Sequence, residues 1–425
     1  MIQPLGSSRT TWVLHWLDLE EPVVGDTGVF LPTLVVISDS SGVPLTPPAI
    51  FEEIDQVRIE NWLVRLFDQL GSPDRVDIRA GDDWDDEAWR AFSEEQRVEI
   101  RFQKSPSTGP DDLKALARSV ATRLAIRPTA TPADLARGLV DTFLRINSPG
   151  KRDALLRKAL SLDPDCSSAR IELADAEFQK GNWKACMEAY EETIRRESKR
   201  LSDSQPHWWQ DHSTRPLLRA LYGRAMTLWH RGRYADAAAQ LTVLLEKNPS
   251  DNQGVRFFIP LLHLLAEDPA AASAAFENYE SAYPDDYPEP AFLFGWGLCR
   301  FIEGDEAGAR MKYREAICRN FYIAPLLLDE PAPTRMIWLP NDRADPNYAS
   351  EFLDSYAILW DRESGSLRIL REVWEEMRPR IQAIIDLRSR MFDFQDQRYE
   401  PRFKTLWQEL VEAEEKLTAA ACKAD

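Results

Sequence analysis

The chain has 425 residues, more than one ordinary hydrophobic core can serve, so two or three folding units are expected. Hydrophobic residues make up 44% and charged residues 29%, with 14 Trp and 18 Phe, which excludes a largely disordered chain. With 52 Lys plus Arg against 70 Asp plus Glu, the formal charge of -18 repels phosphate backbones and anionic membrane faces, so neither nucleic acid nor a membrane is an expected partner.

The cysteines at 166, 186, 299, 318 and 422 form no CxxC pair and no Cys/His zinc spacing. They read as buried thiols in a reducing compartment. The first residues, MIQPLGSSRTTWVLHWL, carry no basic region ahead of a long apolar run, and no stretch of about 18 apolar residues occurs anywhere. The expected location is cytoplasmic.

In chain order, short β-rich runs come first: Thr11 to Leu19, Thr33 to Ile37, Arg75 to Ile78 and Arg97 to Phe102. Between them Ile54, Val57, Trp62, Leu63, Leu66 and Phe67 recur at helical spacing, and Glu87 to Phe92 suggests a second short helix. The turn signal SDSSG at Ser38 to Gly42 suggests a hairpin of the first two strands. The acidic segment GDDWDDEAW at Gly81 to Trp89 follows the third strand. Acidic residues suit the first turn of a helix, where they face its positive dipole end. They also suit a metal-binding sheet edge, with Asp18 and Asp39 as candidate partners for Asp82, Asp83 and Asp86. The order of elements and this turn resemble the RNase H and integrase core over fewer than 100 residues. Residues 104–132, with Pro-containing stretches around an apolar-periodic Leu113 to Leu124, read as a helix between two connectors.

From about residue 133 the period becomes 34 residues. Units run from Ala169 to Ile194, Leu218 to Asp251 and Ala291 to Ile317, after one closing at Pro164. Small residues recur at Ala174, Ala225 and Gly297, turn glycines at Gly181, Gly232 and Gly304, and small second-helix residues at Cys186, Ala237 and Ala309. Large partners follow at Tyr190, Leu241 and Tyr313, and closing prolines at Pro164 and Pro249. Small residues allow close helix approach, glycine the tight turn, and proline the stop. This pattern resembles the tetratricopeptide repeat family. The unit from Asn252 to Asp286 is degenerate, with Pro260 inside its first helix and no turn glycine, and an insertion at Glu197 to Thr214 carries Trp208 and Trp209.

From Trp208 to about Leu370, the stretches STRPLLRALYGRAMTLWHRGRYADAAAQL, KNPSDNQGVRFF, REAICRNFYIAPLLL and YASEFLDSYAILWDRESGSLRIL are similar to the suppressor-of-tumorigenicity-7 proteins and related bacterial repeat proteins. That resemblance implies an interaction protein without catalytic residues. Farther on, Leu370, Val373, Trp374, Met377, Ile381, Ile384, Ile385 and Met391 form one apolar stripe across Pro379. Phe403, Leu406, Trp407, Leu410, Ala413 and Leu417 form a second. The pair reads as an αα-hairpin, either capping the array or joining two copies.

The expected architecture is mainly α. An N-terminal α/β or α+β domain (1–110) is followed by a helix and linker (111–132) and a tetratricopeptide-type α-solenoid (133–325). A post-repeat segment (326–365) and the C-terminal hairpin (366–425) complete it. By repeat phase, the concave surface carries Arg219, Tyr222, Met226, Trp229 and His230, then Arg256 and His263, then Phe294, a set suited to gripping a peptide carboxylate beside apolar anchors. Alternatively the arginines pair with acids on neighbouring helices and the aromatics are interhelical core. No catalytic, cofactor-binding or metal residue is expected from the repeats. The expected function is a protein or peptide-binding scaffold, its rivals being a metal-dependent nuclease-like N-terminal domain and a structural oligomerisation protein.

Overall fold

The computed structural model describes residues 10–19, 21–25, 28–40, 44–78, 86–102, 131–147, 149–201, 208–333, 342–394, 396 and 399–421. The helix expected at Leu113 to Leu124 and the acidic Asp82 and Asp83 lie outside them. The fold is mainly α, with a small N-terminal sheet followed by a tetratricopeptide-like helical region. Two compact units divide it, Met1–Lys180 and Gly181–Asp425.

In the first unit β1 (Thr11–Asp18), β4 (Thr33–Asp39), β5 (Ala49–Phe51), β6 (Arg75–Ile78) and β7 (Glu99–Phe102) form one sheet, ordered β5-β4-β1-β6-β7. β1 pairs antiparallel with β4 and parallel with β6, which pairs parallel with β7. The two parallel neighbours need crossovers, supplied by α1 (Gln56–Leu70) before β6 and α2 (Asp86–Gln96) before β7. Asp55 caps α1 by accepting the Arg58 N–H at 2.7 Å, and the helix buries Ile59, Leu63, Leu66 and Phe67 against Leu14, Val35, Ile37 and Val76.

The expected pairing of the first two long strands is present, but SDSSG does not connect them. Their connection contains a second small sheet, β2 (Val23–Gly25) with β3 (Gly28–Phe30), and the Ser38 and Asp39 of SDSSG are instead the last residues of β4, Ser41 and Gly42 lying outside the described residues. The hairpin's Val29 sits against Gly138 of α3 (Pro132–Phe143), whose Thr142 hydroxyl donates to the Val29 carbonyl. Next come α4 (Pro149–Leu162) and α5 (Ser167–Gln179), burying Leu155, Leu156, Ala159 and Ala169 with Leu31 and Leu139.

The second unit stacks antiparallel helix pairs: α6 (Trp183–Arg200) on α7 (Arg215–His230), then α8 (Tyr234–Lys247), a 3-10 turn at Val255–Phe257, α9 (Ile259–Leu265), α10 (Pro269–Ala282), α11 (Pro290–Ile302) and α12 (Glu306–Arg319). The turn glycines Gly232 and Gly304 have φ of 70° and 82°, the left-handed region that glycine enters without a Cβ penalty. A Cβ on Gly297 would stand 2.7 Å from the Tyr313 ring, so this crossing requires glycine. Gly223 of α7 plays the same part against Tyr190 of α6, a contact between consecutive repeats that the repeat pattern did not single out.

After α13 (Ile323–Leu327) come α14 (Pro346–Arg362), α15 (Ser366–Phe392) and α16 (Pro401–Ala421). α15 is one helix through Pro379, and with α16 it packs on α12. All eight residues of the first stripe are buried. In the second stripe Trp407 instead keeps 46% of its surface exposed. Glu306–Arg368, Arg310–Glu372 and Arg314–Glu376 form a ladder at a constant offset in sequence, so α12 and α15 run parallel in register.

Candidate interaction site

Of the eight residues expected on one open groove, six divide between two environments and two, Arg219 and His230, stay exposed. The first lies under α14. Phe294 on α11 has no exposed surface and packs on Phe352 and Trp360 of α14, with ring centroids at 5.7 and 6.5 Å. Trp229 on α7 stacks on Tyr356 at 5.6 Å and is only partly exposed. Arg362, at the end of α14, donates to the Leu265 carbonyl of α9 at 3.1 Å.

A helix from the chain's own post-repeat segment therefore spans the first helices of three repeats. Its aromatics at Phe352, Tyr356 and Trp360, spaced four apart, present one face. Phe294 cannot serve as an open-groove anchor. Met226 and Tyr222 are also partly buried against this core, and burial beside Glu289 and Asp251 pushes the Tyr222 phenol above its ordinary range. Arg219 and His230 stay exposed, His230 lying flat on Trp183 with centroids 5.1 Å apart.

The second environment is a cleft of about 500 Å³ between α8 and α10, floored by α9. Here Arg256 and His263 come together with Tyr279 and Tyr283, while Leu245, Pro249, Ile259, Ala271, Ala274 and Ala275 supply apolar wall. The cleft follows from the degeneracy of this repeat. Asp251 accepts the Val255 and Arg256 N–H groups, Gly254 turns left-handed, and α9 with Pro260 in its first turn is only seven residues long. The following helix, PAAASAAFENYESA, presents alanines toward the gap.

Arg256 is not an idle cation. Its Nη1 pairs with Asp251 and its Nε with Asp286, each at 2.8 Å, and its guanidinium lies over the Phe257 and Tyr283 rings. Asp286 also accepts the Tyr279 hydroxyl at 3.1 Å. Burial pushes His263 below its usual value, the nearby Asp268 acting the other way, so at neutral pH it is uncharged.

In the first unit Asp18 accepts the Thr33 hydroxyl, which also accepts Lys151 Nζ at 3.0 Å. β1 and β4 pair with Asp18 opposite Thr33 and Trp12 opposite Asp39, which puts Asp18 and Asp39 about 20 Å apart along the strands. Those two cannot share a metal ion. Among the described residues no group of three His, Cys, Asp or Glu could hold one.

A family model described as tetratricopeptide repeat matches residues 152–200 and 213–252, which contain α5 to α8 and most of α4. The repeat region is of the tetratricopeptide type. No curated protein matches the chain. Among solved structures it is similar to YrrB, described as a TPR protein with an unusual peptide-binding site, at 16% identity over 47% of this chain and 90% of that one, TM-score 0.33. It is also similar to a tetratricopeptide repeat protein from Parabacteroides merdae at 12% identity, over 61% of this chain and 90% of that one, TM-score 0.27. No described helix is long and apolar enough to cross a membrane.

Proposed function

We propose that the chain is a non-catalytic scaffold that binds a peptide or protein partner through its repeat region, in the cytoplasm. The observation that carries this reading is the tetratricopeptide match at 152–200 and 213–252, with an open cleft beside α8, the last matched helix. Arg256 and His263 belong to that cleft, and the exposed Arg219 and His230 offer a second approach on α7. The net charge of -18 argues against nucleic acid. The reading of residues 208–370 as resembling suppressor-of-tumorigenicity-7 proteins, which rests on the sequence stretches alone, is in keeping with this proposal. The test is capture of partners by the tagged full chain, with photo-crosslinking from position 274 on α10 and from position 50 on β5. A partner crosslinked from α10 and not from the sheet is the expected result. A partner crosslinked only from the sheet would place binding in the first unit and sink the reading.

The rival, a metal-dependent nuclease-like first unit, draws support from a sheet whose antiparallel trio continues into two parallel strands joined by helices. The spacing of Asp18 from Asp39 opposes it. Calorimetric titration decides: micromolar Mn²⁺ binding abolished by Asp82→Asn would establish the rival, and no heat is expected.

A further inference from the structure

The chemistry of the cleft between α8 and α10 runs against the anionic ligand that two arginines in a groove suggest. Three charge-bearing side chains line it besides its tyrosines: Glu246, Arg256 and His263. His263 is neutral, as argued above. Arg256 is matched by two carboxylates, Asp251 and Asp286, so that trio carries one net negative charge. Glu246 adds a second and has no ion-pair partner among the described residues. A carboxylate entering here would meet a guanidinium already occupied twice and an uncompensated Glu, whereas a cation would meet net attraction in a chain of charge -18.

Apart from Thr242 and Asn278, the remaining surface is apolar and shallow-walled. Ala271, Ala274, Ala275 and Ala282 leave the side of α10 low, Leu245 and Pro249 form the opposite wall, and Ile259 lies at the floor. A volume of about 500 Å³ lies in the range of sites that engulf a few side chains.

We propose that this cleft is the docking site for a basic segment of a partner protein, one carrying Lys or Arg next to small or branched apolar residues, with the cation at Glu246 and the apolar residues on the alanine face of α10. This rests on the scaffold reading and specifies the partner's chemistry. The cation belongs near the exposed Glu246, since Asp286 already accepts from Arg256, Tyr279 and the Tyr287 N–H. Association should therefore be steered by charge and weaken with salt, while apolar burial holds the complex.

The experiment is selection of a displayed random dodecapeptide library on the immobilised full chain, in parallel with Ala274→Trp, which fills the cleft from an exposed position. Peptides that bind the parent and not Ala274→Trp are expected to be enriched in Lys and Arg beside apolar residues. Glu246→Lys, an exposed change that leaves the packing alone and serves if Ala274→Trp fails to fold, should weaken those peptides by about tenfold or more, replacing attraction with repulsion. Cleft-dependent peptides enriched in Asp and Glu, or tightened by Glu246→Lys, overturn the proposal. So does a selection with no cleft-dependent peptide. Peptides held at Arg219 or elsewhere on the repeats would then leave the scaffold reading standing, and no repeat-binding peptide at all would remove both.

Discussion

Glu267 stands where the neighbouring repeats place Gly232 and Gly304, and its φ of 61° is the left-handed conformation that costs a residue with a Cβ roughly 1–2 kcal/mol. Glycine there would relieve that strain while adding freedom to the unfolded chain worth roughly 0.4–1 kcal/mol. The ion pair that Glu267 makes among the described residues, with Arg362, leaves it 74% exposed and contributes little. Glu267→Gly should therefore raise stability by about 0.5–1 kcal/mol in urea titration, and a loss of that size would mean the turn is not strained. His263, on the neighbouring helix, makes a pH prediction. Its folded value is depressed by burial below the roughly 6.5 of an exposed histidine. The stability it contributes is complete above that value and is lost as pH falls through the folded one, because the unfolded state takes the proton first. Comparing melting temperatures at pH 7.5 and 5, His263→Gln should drop less than the parent; an equal drop would show the ring to be protonated in the fold.

At the scale of elements, the α12–α15 ladder is graded by burial. Arg314 keeps 8% of its side chain exposed, Arg310 28% and Arg368 55%, so screening by water grows along the series. A double-mutant cycle on Arg314 and Glu376 should give a coupling of about 1 kcal/mol. The Arg310–Glu372 and Arg368–Glu306 pairs should couple less and lose most of it at high salt; equal couplings for all three would deny the role of burial. Neither this register nor the place of α14 was legible in the sequence. Helix period and turn glycines are local signals, so the repeat helices and the stripe of α15 could be read directly. Three-residue strands such as β2, β3 and β5 are too short to show alternation. Phase alone put Phe294 and Trp229 on the concave side, but it carries no information on what covers that side. The covering helix comes more than fifty residues later than Phe294, through an aromatic face that any amphipathic helix could present. Which of the two readings of Arg256, open or paired, would hold was not legible either, since Asp251 and Asp286 reach it only through the turns of the degenerate repeat.

At the largest scale, the second unit has one continuous core from Met187 to Ala421, and one face of α14 is part of it, the other facing solvent. Ala349, Phe352, Tyr356, Leu359 and Trp360 each keep 4% or less of their surface. Trp360 also donates its indole N–H to the Tyr313 hydroxyl at 3.3 Å. Releasing such a helix would expose three large aromatic side chains, each worth roughly 1.5–3 kcal/mol or more of burial, a cost comparable to the whole stability of a typical domain. α14 is then a structural strut, not a plug that a partner displaces. In hydrogen exchange followed by mass spectrometry, amides of residues 349–360 should exchange only as fast as those of 292–299 in α11, both through global opening of this unit. Earlier exchange confined to α14, by more than about 2 kcal/mol, would instead mark a segment able to leave and reopen the concave side, returning Phe294 and Trp229 to the list of partner contacts.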